Sequence, residues 1–125
     1  LQFSERTGRW VHEPLGDAFP GMDVFCADGH TESQIIPVFT RPDGSRLAFM
    51  GDLLASAAHV PAAWVMGYDT RPLLTIDDKA EFLGRAVEES WVLMLEHYAA
   101  HEGCRVHVTE KGIRLQTARP ALHDL

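Results

Sequence analysis

Val24-Phe25-Cys26-Ala27-Asp28-Gly29-His30 is an apolar, strand-like run that ends on a potential metal ligand. Working outward from it, the same design recurs twice. Leu47-Ala48-Phe49-Met50-Gly51-Asp52 ends on Asp52, and Trp91-Val92-Leu93-Met94-Leu95-Glu96-His97 ends on His97. Strands that finish on polar residues at one rim are how layered α/β folds build sites, because the sheet is rigid and the loops past its ends are open to substrate. Two imidazoles and one carboxylate form a borderline-to-hard ligand set suited to Zn²⁺, Mn²⁺ or Fe²⁺.

The segments between these runs read as follows. Residues 1–22 form an irregular lead-in punctuated by Gly8, Pro14, Gly16, Pro20 and Gly21, with a short strand over Arg9–His12. A strand covers Asp23–Ala27 and a second covers Gln34–Thr40. Arg41-Pro42-Asp43-Gly44-Ser45 then turns the chain into a partner strand over Arg46–Met50. In that turn Pro sets φ, Asp bonds the backbone and Gly takes positive φ. Leu53–Ala58 and Pro61–Met66 read as short helical turns, the latter with Pro at its first position. Thr75 is placed as the N-cap of a helix over about 76–90, its inner face marked by Ile76, Ala80, Leu83 and Val87. Asp77, Asp78, Glu81, Glu88 and Glu89 fall on its wet face. Trp91–Leu95 is a short buried strand, and Cys104–Thr109 with Ile113–Gln116 a terminal hairpin.

With the ligands placed in this order, the chain resembles the C-terminal half of a metallo-β-lactamase-fold hydrolase, in its lactonase and phosphotriester-hydrolase branches. Asp28-Gly29-His30-Thr31, Gly51-Asp52-Leu53-Leu54, the helix, Leu95-Glu96-His97 and the closing Val108–Leu115 carry the resemblance. It implies an α/β fold, half of an αββα sandwich whose dinuclear site lies between two sheets. The half-domain spans 23–117 and a tail covers 118–125. The resemblance further implies that His30 binds one metal, His97 the second, and Asp52 bridges them, with two zinc ions as the expected cofactors and manganese or iron as substitutes. Two departures are visible. Glu32-Ser33-Gln34 follows where the family continues Pro-Gly-His, and the first-half motif His-x-His-x-Asp-His is nowhere in these residues. The chain alone is therefore an incomplete active site, expected to meet a missing N-terminal half or a homodimer partner.

A bound divalent metal lowers the pKa of its water from 15.7 to about 7, and a bridging carboxylate can hold two metals roughly 3.5–4 Å apart. Metal-bound hydroxide then attacks a carbonyl or phosphoryl centre, which suits ester, lactone, thioester, amide and phosphoester substrates. His59 and Tyr68-Asp69, in the irregular segment after Asp52, are placed to donate a hydrogen bond or a proton. Taken singly, Asp52 also suits the role of N-cap for the Leu53–Ala58 turn. The rival reading is a non-catalytic half-domain that self-associates or serves as a binding module. Half of a sandwich exposes an apolar sheet face that must be covered.

The bulk numbers agree with one globular domain. At 125 residues and 46% hydrophobic content the chain can build a core, and a net charge of −7 without a basic stripe gives no footprint for nucleic acid. No apolar run reaches the length of a membrane span, and the N-terminus lacks signal-peptide features. Cys26 and Cys104 sit in apolar surroundings, as buried thiols do in a reducing cytoplasm. The chain opens on Leu1 without an initiator Met, which suits a fragment, a processed form or part of something longer.

Overall fold

The structure, a computed structural model, describes residues 10, 11 and 19–125. Its strands are β1 (Trp10–Val11), β2 (Met22–Ala27), β3 (Gln34–Thr40), β4 (Arg46–Phe49), β5 (Val92–Met94), β6 (Gly103–Thr109) and β7 (Gly112–Arg119). One long helix, α1 (Pro72–Glu88), crosses from β4 to β5, and short 3₁₀ turns stand at Gly51–Leu53, Ala57–His59 and Leu122–Asp124. Among the described residues the strands form one sheet whose spatial order is the chain order. This is a mixed α/β half-sandwich of the kind the sequence suggests. Most of the expected 1–22 lead-in, with Arg9 and His12 of its strand, lies outside the described residues.

Every neighbouring pair is antiparallel except β4 and β5, which α1 joins as a parallel pair. Reversal from β2 to β3 and again to β4 makes β2, β4 and β5 run in one direction. Their C-terminal ends therefore share one rim, and Asp28-Gly29-His30, Gly51-Asp52 and Leu95-Glu96-His97 all emerge there. The period-two geometry of strands and the connectivity together converge three distant stretches.

The β3–β4 turn forms as its composition dictates. Gly44 takes φ +83°, Gly44 N–H donates to Arg41 O at 2.9 Å, and Asp43 Oδ1 accepts from Ser45 N–H at 2.9 Å. Helix α1 begins earlier than the spacing suggested. Pro72 occupies its first turn, where a missing N–H costs nothing, and Thr75 lies buried inside the helix instead of capping it. The helix ends in a Schellman-type turn. Ser90 adopts φ +56°, Trp91 N–H reaches Ala86 O at 2.8 Å, and Ser90 N–H reaches Val87 O at 3.2 Å.

The buried stripe of α1 is Thr75, Asp78, Lys79, Phe82, Leu83 and Ala86, and Ala80 is exposed. The expected stripe of Ile76, Ala80, Leu83 and Val87 is thus rotated, because two charged side chains occupy the inner face and periodicity reads only apolar ones. Phe82 stacks on Trp10 and packs edge-on to Phe25 and Trp91, the centre of a core that also takes in Ile36, Val38, Ala48 and Leu93. On the other face of the sheet, Ile35 and Phe39 are 61% and 41% exposed. No helix among the described residues is long and apolar enough to cross a membrane.

Candidate metal centre

Asp52 is the hinge of the site. Gly51 takes φ +47° directly after β4, and Asp52 lies within the 3₁₀ turn Gly51–Leu53, whose cap residue is Met50. It therefore caps no helix, contrary to the simplest reading of its position. Met50 N–H donates to Met94 O at 3.0 Å, tying the ends of β4 and β5 together. Asp52 Oδ2 lies 3.4 Å from His30 Nε2, and Asp52 Oδ1 lies 2.9 Å from His97 Nε2. Each oxygen of one carboxylate thus faces a different imidazole. His30 is largely buried, whereas His97 is half exposed.

His30 is held from behind. Its Nδ1 lies 2.7 Å from Asp69 Oδ1, a carboxylate whose side chain is 1% exposed and whose Oδ2 accepts Met66 N–H at 3.2 Å. A carboxylate only accepts, so this bond needs the ring proton on Nδ1 and turns the Nε2 position toward Asp52. A carboxylate behind a ligating imidazole sets its tautomer and raises its basicity. Asp69 is therefore an acceptor that orients His30, a different part from the donor that the sequence suggested for Tyr68-Asp69.

Two further residues were missed by sequence reasoning. Asp78, expected on the wet face, is fully buried, and its Oδ2 accepts the backbone N–H groups of Asp28 and Gly29, each at 2.9 Å. Lys79 is also buried. Its Nζ donates to the carbonyls of His59 at 2.5 Å, Pro61 at 3.0 Å and Trp64 at 2.8 Å, pinning the irregular segment to α1. Burial pulls the Lys79 ammonium down to about 8, against the opposing attraction of Asp69. An Asp-Lys pair on a helix reads as surface by composition. Only the spacing of Asp78 four residues from Phe82, and of Lys79 three from Phe82 and four from Leu83, hinted otherwise.

The remaining predicted residues line an open cleft beside the trio. His59, Met66, Tyr68, His97 and Tyr98 bound a space of about 460 Å³. Tyr68 is exposed and sets its ring edge-on to His30 at 5.8 Å between centroids. His59 Nδ1 is 2.9 Å from Ser56 Oγ. Cys26 and Cys104 are free thiols, Cys104 buried and Cys26 half-buried.

The donor chemistry can be tested against zinc. Two bonds of about 2.0–2.2 Å at a tetrahedral angle separate their donor atoms by about 3.4 Å, which is the His30–Asp52 spacing. Among the described residues, however, no three or more His, Cys, Asp or Glu side chains gather as a ready metal cage. The trio meets pairwise through Asp52, so each metal position would receive two donors from these residues, short of the three or four protein ligands zinc takes. His30 and Asp52 are thus spaced as two ligands of one zinc, whereas Asp52 and His97, 2.9 Å apart, stand at hydrogen-bond distance.

A probable metal-dependent hydrolase from Staphylococcus aureus superposes with a TM-score of 0.69 at 20% identity, covering 86% of this chain and 36% of that one. AidC, a dizinc quorum-quenching lactonase solved with a product, gives 0.67 at 16% identity over 78% of this chain and 33% of its own. AbOPH, a hydrolase of the beta-lactamase superfamily, gives 0.66 at 16% identity over 81% and 35%. No family model matches the sequence, and no curated protein matches it in sequence. The chain spans about a third of the length of these solved structures. From its mixed sheet, its single crossing helix and these superpositions, the chain has the fold of the C-terminal half of a metallo-β-lactamase-type hydrolase.

Proposed function

We propose that this chain supplies the C-terminal half of the active site of a metal-dependent hydrolase acting on ester, lactone or phosphoester substrates. The observation that carries the reading is the carboxylate of Asp52 held between His30 Nε2 and His97 Nε2, with Asp69 fixing the first imidazole from behind. His30, Asp52 and His97 would hold the ions, two imidazoles and a carboxylate suiting zinc, manganese or iron. A divalent metal bound there would acidify a water and polarise the carbonyl or phosphoryl oxygen of the substrate. Asp69 keeps the Nδ1 proton of His30 in place and so keeps Nε2 available as a donor atom. Tyr68 and His59 face the cleft, where their O–H and ring N–H can hydrogen-bond a substrate oxygen or leaving group.

The remaining ligands come from a second sheet that covers the face carrying Ile35 and Phe39, with Pro37, Leu47 and Phe49 beside them. Exposed apolar strand residues grouped on one face mark an interaction surface. We assign that cover to an N-terminal half, because this chain spans only about a third of the similar solved structures. A second copy of the chain is the rival cover, and would make the chain a self-associating, non-catalytic half-domain.

Zinc titration of the chain by calorimetry and thermal melting tests the metal reading. Zinc should raise the melting temperature of the parent and leave that of the double variant His30→Ala, His97→Ala unmoved. Equal effects on both would overturn it. Light scattering tests the cover: a stable symmetric dimer without any partner would favour the self-associating half-domain.

A further inference from the structure

We propose that Asp78, buried on the inner face of α1, is the positioning residue for His30, an inference that rests on the metal reading above for its functional meaning. Asp78 Oδ2 gathers two consecutive backbone N–H groups, those of Asp28 and Gly29, immediately before the imidazole. Hydrogen bonds to an ionised acceptor are roughly twice as strong as neutral ones, and here they converge on one oxygen out of water. The turn has no slack elsewhere. A Cβ on Gly29 would lie 2.2 Å from Thr75 N and 2.3 Å from Thr75 Oγ1, so the turn rests flat on the first turns of the helix.

Its other anchors come from the segment that carries Asp69. Arg71 N–H donates to Gly29 O at 2.9 Å, and Thr70 donates to His30 O through its N–H at 3.2 Å and its hydroxyl at 3.0 Å. That set fixes the turn relative to Asp69 and to the start of α1; Asp78 ties it to the second turn of the helix. Helix α1 also closes the crossover that brings β4 and β5 side by side, and with them Asp52 and His97. Asp78 thereby sets the height of His30 against Asp52, where the 3.4 Å spacing is the quantity a metal reads. Removing this acceptor leaves the buried N–H of Gly29 and the half-buried N–H of Asp28 without it and lets the turn lift from the helix.

The test compares the parent with Asp78→Leu, which removes the acceptor, and Asp78→Asn, which keeps a neutral oxygen. Two readouts are taken at a temperature where each variant is folded. In the metal-free chain, the His30 Nδ1 proton bonded to Asp69 is followed by NMR; in the second, zinc is titrated by calorimetry. Asp78→Leu should lose the slowly exchanging ring proton and bind zinc about tenfold or more weakly, the range seen when groups behind metal ligands are removed. Asp78→Asn should be intermediate. A merely structural Asp78 would lower the melting temperature of both variants and leave ring proton and zinc affinity at parental values, which overturns the proposal. If Asp78→Leu does not fold, Asp78→Asn decides on the same two readouts. If the parent binds no zinc, the hydrolase reading falls, and the ring proton alone decides the positioning role.

Discussion

Lys79→Met should change how the stability of this protein depends on alkaline pH. In the folded chain the Lys79 ammonium is buried under α1 and donates to three carbonyls, and burial pulls its pKa from 10.5 to about 8. Linkage gives the sign. Below pH 8 the group is charged in both the folded and unfolded chains, so the cost of burying the charge is borne in full. Between pH 8 and 10.5 the folded chain has released the proton while the unfolded chain keeps it, so stability rises with pH. At 1.36 kcal/mol per pH unit, the fall from 10.5 to about 8 corresponds to a gain of about 3 kcal/mol across that window. The Met variant has no such proton. Urea unfolding of parent and variant from pH 7 to 11 cancels the titration of every other group in the difference. The parent should gain about 3 kcal/mol on the variant as pH rises. A flat difference, or one that runs the other way, would refute the claim that the buried ammonium is held at a cost.

Three further outcomes follow from named contacts. Gly29→Ala drives a methyl into the backbone of α1 at Thr75 and should destabilise the fold by about 3 kcal/mol, the upper end for overpacking, read by urea unfolding. Ser90→Gly should stabilise by about 1 kcal/mol in the same assay, because Ser90 holds the left-handed helix-ending position at φ +56° that glycine occupies without steric cost. Burial pushes the Cys104 thiol up to about 12, so a thiol reagent at pH 8 should label it only through unfolding, with a rate that rises in step with urea. Fast labelling of Cys104 in the native chain would contradict that packing.

The placement of His30, Asp52 and His97 at strand ends was legible in the sequence because each stands at the end of its own apolar run, and that pattern is local. The Pro42-Asp43-Gly44 turn was legible for the same reason: a turn is decided by the φ preferences and side-chain bonds of adjacent residues. Helix α1 was legible as an element but not in its facing. Its inner stripe contains Asp78 and Lys79, and a periodicity that counts apolar residues rotates away from buried charges.

What the tertiary structure decided lies at long range. Asp69 meets His30 across 39 residues, Asp78 meets Gly29 across 49, and Lys79 meets the His59 carbonyl across 20. No local pattern encodes those partners, because a carboxylate on a loop or helix is equally at home in water until the fold supplies a donor and removes the solvent. The amino-acid order alone determined which residues stand at the ends of the strands. The common direction of β2, β4 and β5 determined that those ends meet. Burial against α1 then turned two ordinary surface residue types into the supports of the site.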